Sequence, residues 1–224
     1  MRVAAAMLVP LVLTACATET EPLRPFRHLA LGDSYTIGEG VDPEERWPAQ
    51  LASRLRAEGF AMEDPEIVAR TGWTTAELDA AIDAASPQGP YDLVSLLIGV
   101  NDQFRGLDIG EYRAGFVTLL ERAIGFAGGD PGRVMVFSIP DWGVTPFAAD
   151  HDAEEIAAEI DAFNAAASGE TMRRGARYID VTPISRRAGG DPTLLAGDGL
   201  HPSGAVYAEW AGLALPLARQ ILDR

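Results

Sequence analysis

Apolar positions along the chain follow two alternating rhythms. Short, nearly continuous apolar runs read as strands covered on both faces: HLALGD (residues 28–33), EIVAR (66–70), YDLVSLLIGV (91–100), RVMVFSIP (133–140) and RYIDV (177–181). Between them, apolar residues recur every three or four positions on otherwise polar segments, which is the spacing of an amphipathic helix. In RWPAQLASRLRAEG, Trp47, Leu51 and Leu55 stand four apart, and Gly59 supplies a C-terminal stop. TTAELDAAIDAAS, IGEYRAGFVTLLERAIGFA and AEEIAAEIDAFNAAA read the same way. The final segment, GAVYAEWAGLALPLARQIL, contains Pro216, which predicts a kink or a division there. Strand followed by helix, five times, predicts an α/β domain of three layers, α/β/α, around a parallel five-stranded sheet with right-handed crossovers.

The first residues break this rhythm. Arg2 is followed by VAAAMLVPLVL, an apolar run too short to span a bilayer but suited to a signal peptide. It ends in Leu13-Thr14-Ala15-Cys16, which resembles a bacterial lipobox. The expected organisation is a lipoprotein signal peptide over residues 1–15, a tether over 16–27 and one domain over 28–224. Lipidation of Cys16 would hold the protein at a membrane of the cell envelope, as several acyl chains on one residue do. In a cell with two membranes, Ala17 favours the outer one. The competing reading is an ordinary secretory signal with an incidental cysteine. Cys16 is the only cysteine, so no intrachain disulfide is available.

At 224 residues the chain suffices for one domain with a full core. Its formal charge of −15 argues against nucleic acid and against a basic patch on anionic lipid. A small-molecule partner fits better, and parallel sheets bind such ligands beyond the carboxyl ends of their strands. The unusual residues cluster at that edge. Ser34 follows the first expected strand, Gly72 the second, Asn101 the third, and Pro140-Asp141-Trp142 the fourth.

Ser34 alone admits three roles: turn residue, helix cap or nucleophile. A serine alcohol attacks well only when a base takes its proton. His201, in Asp198-Gly199-Leu200-His201-Pro202, is placed to serve, with Asp198 three residues earlier to orient the imidazole. The backbone N–H groups of Ser34 and Gly72 and the side-chain amide of Asn101 are candidate donors to an oxyanion.

Gly32-Asp33-Ser34, Gly72, Gly99-Val100-Asn101-Asp102 and Asp198-Gly199-Leu200-His201-Pro202 resemble, in order, the four blocks of the SGNH, or GDSL, hydrolases. The resemblance spans almost the whole expected domain. It implies a flavodoxin-like sheet and ester hydrolysis with no metal or organic cofactor. It carries Ser34 over as nucleophile, Asp198 and His201 as the rest of a triad, and Ser34, Gly72 and Asn101 as oxyanion donors. Asp33 and Asp102 match positions expected to orient the loops, and Gly38 matches the later glycine of the first block. The implied activity is cleavage of short- to medium-chain carboxylic esters through an acyl-enzyme. A lysophospholipase or thioesterase, a carbohydrate O-deacetylase and an inactive binding lipoprotein are the alternatives.

Other residues carry weaker signals. His151, in DHDAEE, reads as part of a solvated helix start rather than a metal patch, and Trp47 as helix packing. Trp73 and Trp142 are each either packing or substrate wall. Arg105 either meets an anionic group or pairs with a neighbouring carboxylate.

Overall fold

The computed structural model describes residues 24–223. The expected signal peptide, Cys16 and most of the tether lie outside the described residues. Five strands form one parallel sheet: β1 (His28–Gly32), β2 (Glu66–Ala69), β3 (Leu93–Leu97), β4 (Val134–Phe137) and β5 (Arg177–Ile179), in the order β2-β1-β3-β4-β5. The inner strands β1, β3 and β4 are buried along their whole length, which explains their continuous apolar sequence.

Among the described residues, eight α-helices accompany the sheet: α1 (Ser34–Ile37), α2 (Trp47–Ala57), α3 (Thr75–Ala85), α4 (Val100–Phe104), α5 (Ile109–Phe126), α6 (Ala153–Arg173), α7 (Thr182–Ser185) and α8 (Gly204–Leu222). Helices α2 and α8 pack on each other, while α5 contacts both α3 and α6. Trp47, Leu51 and Leu55, the stripe expected for α2, are fully buried, as are Trp210, Ala211, Ala214 and Ala218 of α8. Each large apolar side chain removed from water in this way contributes about 1.5–3 kcal/mol. Trp47 also stacks near Phe137, ring centroids 4.3 Å apart, so its role is packing.

Helix α8 runs through Pro216 as one element, so the proline does not divide it. Proline forfeits one backbone bond, but Ala214 and Ala218 on either side of it are fully buried, so tertiary packing holds the helix together. Helix α6 continues past its apolar stripe to Arg173, because Glu170 and Thr171 in its polar tail are buried too. Glu170 is engaged by Arg113, Arg173 and Arg174. At the other end of the chain, residues 24–27 of the expected tether are joined to the domain. Both Arg24 guanidinium nitrogens donate to Asp92 at 2.7 Å, and Phe26 bridges to Met62.

The chain leaves β1 outward to β2, then returns across it to β3. The carboxyl ends of β1 and β3 therefore flank the point where the strand order reverses, and a ligand crevice opens there.

Candidate active site

Ser34 is the first residue of α1, immediately beyond β1. Gly32 is required at the turn: a Cβ there would lie 2.2 Å from Thr36 Oγ1 and 2.4 Å from the Leu97 carbonyl oxygen. Asp33 caps α1, its Oδ1 accepting the Tyr35 backbone N–H at 3.0 Å. Gly38 closes the helix in the left-handed conformation, φ +68°. The short helix thus presents Ser34 at its amino end, held by the residues on both sides.

Asp198 and His201 meet as their spacing suggests. His201 Nδ1 lies 2.7 Å from Asp198 Oδ2, while Asp198 Oδ1 accepts the backbone N–H groups of Leu200 at 2.9 Å and His201 at 3.0 Å. Burial alone would raise the Asp198 pKa, but the His201 bond and these two N–H groups outweigh it and hold the carboxyl below its usual range. Asp198 is thereby kept ionised, as a partner that stabilises an imidazolium must be. Ser34 and His201 line the same cleft. The Ser34 hydroxyl makes no hydrogen bond to His201 in this structure, and such bonds commonly tighten only around substrate.

Two residues not singled out by the sequence shape this arrangement. The buried Tyr35 ring packs against the His201 imidazole, centroids 5.2 Å apart. Its only sequence signal is an aromatic residue directly after the serine. Gly40 brings the loop after α1 against Asp198: a Cβ there would lie 3.2 Å from Asp198 Oδ2.

The oxyanion candidates converge on the same cleft, which Gly72 and Asn101 line together with Ser34. Gly72 has φ +86° and stands in the turn between β2 and α3. Asn101 lies in α4, whose amino end follows Gly99, φ +126°. One Asn101 Nδ2 hydrogen is donated to the Trp73 carbonyl at 2.9 Å, and the amide carries a second. Asp102 is buried and accepts from the backbone N–H and hydroxyl of Thr75, at 3.0 and 2.6 Å, joining α4 to the start of α3.

The cleft encloses about 140 Å³. Its apolar wall is built from Val100, Phe104, Trp142, Phe147 and Leu200. Trp142 is held by its indole N–H, which donates to Gln103 Oε1 at 2.7 Å. Trp73 does not share the wall: its ring packs on the core, and its carbonyl receives Asn101. Phe104 and Phe147 are about half exposed at the mouth, ring centroids 6.0 Å apart.

The remaining polar candidates are occupied elsewhere. His151 packs edge-on against Trp142, centroids 5.1 Å apart. Among the described residues, no three His, Cys, Asp or Glu side chains are grouped to hold a metal ion. His28 is buried at the far end of β1, 2.9 Å from Ser95 Oγ, and burial pulls its pKa down to about 3. Arg105 pairs with Glu77, 3.2 Å away.

Known proteins share the sequence family and the fold. The GDSL-like lipase/acylhydrolase family model matches residues 30–209. No curated protein sequence matches. The structure of TesA shares the fold, with a TM-score of 0.67 and 19% identity over 87% of this chain and 99% of that one. The psychrotrophic esterase EstA from Pseudoalteromonas sp. superposes with a TM-score of 0.62 and 18% identity, covering 88% of this chain and 99% of its own. A variant of Axe2, an acetyl xylan esterase from Geobacillus stearothermophilus, gives 0.63 and 20%, covering 86% and 94%. With the match spanning both the serine turn of β1 and the start of α8, the chain belongs to the GDSL-like lipase/acylhydrolase family and is a carboxylic ester hydrolase.

Proposed function

We propose that the protein cleaves short- to medium-chain carboxylic esters through an acyl-enzyme on Ser34. The observation that carries this reading is one cleft lined by Ser34, His201, Gly72 and Asn101, with Asp198 bonded to the far nitrogen of His201. The Ser34 oxygen attacks the ester carbonyl as His201 Nε2 takes its proton. The backbone N–H groups of Ser34 and Gly72 and the Asn101 amide receive the oxygen that becomes negative. His201 returns the proton to the departing alcohol, then activates a water that releases the acid. Chain length is argued from size: about 140 Å³ is well below the roughly 300–1,000 Å³ of pockets for drug-sized ligands. The exposed rings of Phe104 and Phe147 extend the apolar wall for a longer chain.

The test is hydrolysis of p-nitrophenyl esters from acetate to palmitate by protein starting after Cys16, beside Ser34→Ala. Turnover peaking at short or medium acyl chains and lost in the variant is expected. An optimum at palmitate would favour a lysophospholipase, and unchanged turnover in the variant would overturn the serine mechanism. We also propose that Cys16 is lipidated and anchors the protein in the cell envelope, on the strength of the Leu13–Cys16 motif. Labelled palmitate should enter the full chain in bacterial cells; equal label in Cys16→Ala would refute the anchor.

A further inference from the structure

The turn that presents Gly72 is held from both flanks, and Arg105 closes the hold. The Trp73 N–H donates to the Arg70 carbonyl at 3.3 Å, so residues 70–73 form a β-turn with Gly72 third. Its φ of +86° is the signature of type II. Type I and type II turns differ by rotation of their middle peptide. Here that peptide joins Thr71 to Gly72 and carries the candidate oxyanion N–H. Glycine does not resist the rotation, because it adopts φ of either sign. The N–H orientation that the oxyanion reading needs therefore depends on what holds the residues around it.

Before the glycine, the Thr71 hydroxyl donates to Glu39, which follows α1. After it, Arg105 Nη2 donates to the Gly72 carbonyl at 2.5 Å, and Asn101 Nδ2 to the Trp73 carbonyl at 2.9 Å. The guanidinium is itself fixed by Glu77, with Nη1 3.3 Å from Oε1 and Nη2 3.2 Å from Oε2. Glu77 in turn accepts the Thr74 N–H at 2.9 Å in the capping box that starts α3. Asn101 lies in α4 and Arg105 caps its carboxyl end, so the helix that supplies one oxyanion donor also steadies the other.

We propose that Arg105 is a positioning residue of the oxyanion site, acting through the Gly72 carbonyl and anchored by Glu77. Both its terminal nitrogens donate to acceptors of this protein, Glu77 and the Gly72 carbonyl. The carbonyl bond restrains the exit of the turn while the Thr71–Glu39 bond restrains its entry. With both flanks held, the Gly72 unit keeps its place relative to Ser34 and Asn101.

The proposal rests on the ester-cleaving reading of Ser34, Gly72 and Asn101, and the experiment separates the two. Turnover of p-nitrophenyl butyrate, the rate of Ser34 labelling by a fluorophosphonate, and the thermal midpoint are measured for wild type, Arg105→Ala, Arg105→Lys and Glu77→Gln. Arg105→Ala is expected to lower kcat by about 10- to 100-fold, less than the roughly 100- to 1,000-fold for loss of a direct donor. KM should stay within about twofold, the pattern of an interaction used in the transition state. Labelling should slow in parallel, because the phosphonyl oxygen occupies the same donors. Arg105→Lys should recover part of the loss by reaching the carbonyl, and Glu77→Gln should show a smaller loss. Unchanged kcat would overturn the proposal, as would a rise in KM alone, which would make Arg105 a substrate contact. A fall in kcat that tracks a collapsed thermal midpoint, with no recovery in Arg105→Lys, would make it a folding residue. Wild-type protein that neither turns over ester nor takes the label would instead defeat the reading of the site.

Discussion

Asp33 shows how one side chain links the placement of Ser34 to pH. It is fully buried; Oδ1 caps α1, but Oδ2 has no hydrogen-bond partner. Leaving a carboxylate oxygen ionised and unpaired in the interior is costly. Burial, reinforced by nearby Asp102 and opposed by the Tyr35 N–H, pushes its pKa up to about 8. The folded protein thus keeps a proton that the unfolded chain releases near 3.8. The stability this proton contributes is complete below pH 3.8 and is lost as pH rises through 8. Asp33→Asn keeps a carbonyl for the cap and cannot ionise. Its urea midpoint should therefore gain on wild type between pH 5 and pH 8; a constant gap across that range would refute the protonated carboxyl. The residue was visible in the sequence as the middle of Gly-Asp-Ser, but its proton was not. That depends on Thr36, Asp102 and Tyr35 closing over it, and no local spacing encodes such burial.

Among the helices, the short ones escaped the sequence. Strands β1, β3 and β4 and helices α2, α5 and α8 follow from apolar runs and stripes, because their own length buries them. Helices α1, α4 and α7 span only four, five and four residues, too few for a period to register. They exist because tertiary contacts close them, and two of them carry candidate site residues. Helix α4 depends on Gly99, where a Cβ would lie 2.4 Å from Tyr112 Cε2 and φ is +126°. Gly99→Ala should therefore cost about 2–5 kcal/mol, from overpacking and from a strained backbone together. It should also depress turnover more than Ala substitution of exposed Leu107 does, since Asn101 would be displaced. Equilibrium unfolding in urea measures the first; a loss under about 1 kcal/mol would show that Tyr112 gives way at little cost. The Thr74–Glu77 capping box closes within three residues, whereas Arg105 joins Gly72 from 33 residues away, a pairing that only the fold creates.

At the scale of the whole molecule, a parallel sheet has two unlike poles. Every strand starts at one and ends at the other, so the chain enters the domain at the pole opposite the cleft. Arg24 is clasped there by Asp92, just ahead of β3. From that clasp back to Cys16 only residues 17–23 intervene, a reach of about 29 Å at most. An acyl group on Cys16 would moor the protein by its stern, with the mouth turned outward from the bilayer that holds it. Such a protein would harvest esters arriving from the surrounding fluid or from an opposing surface, and the lipids of its own leaflet would lie behind it.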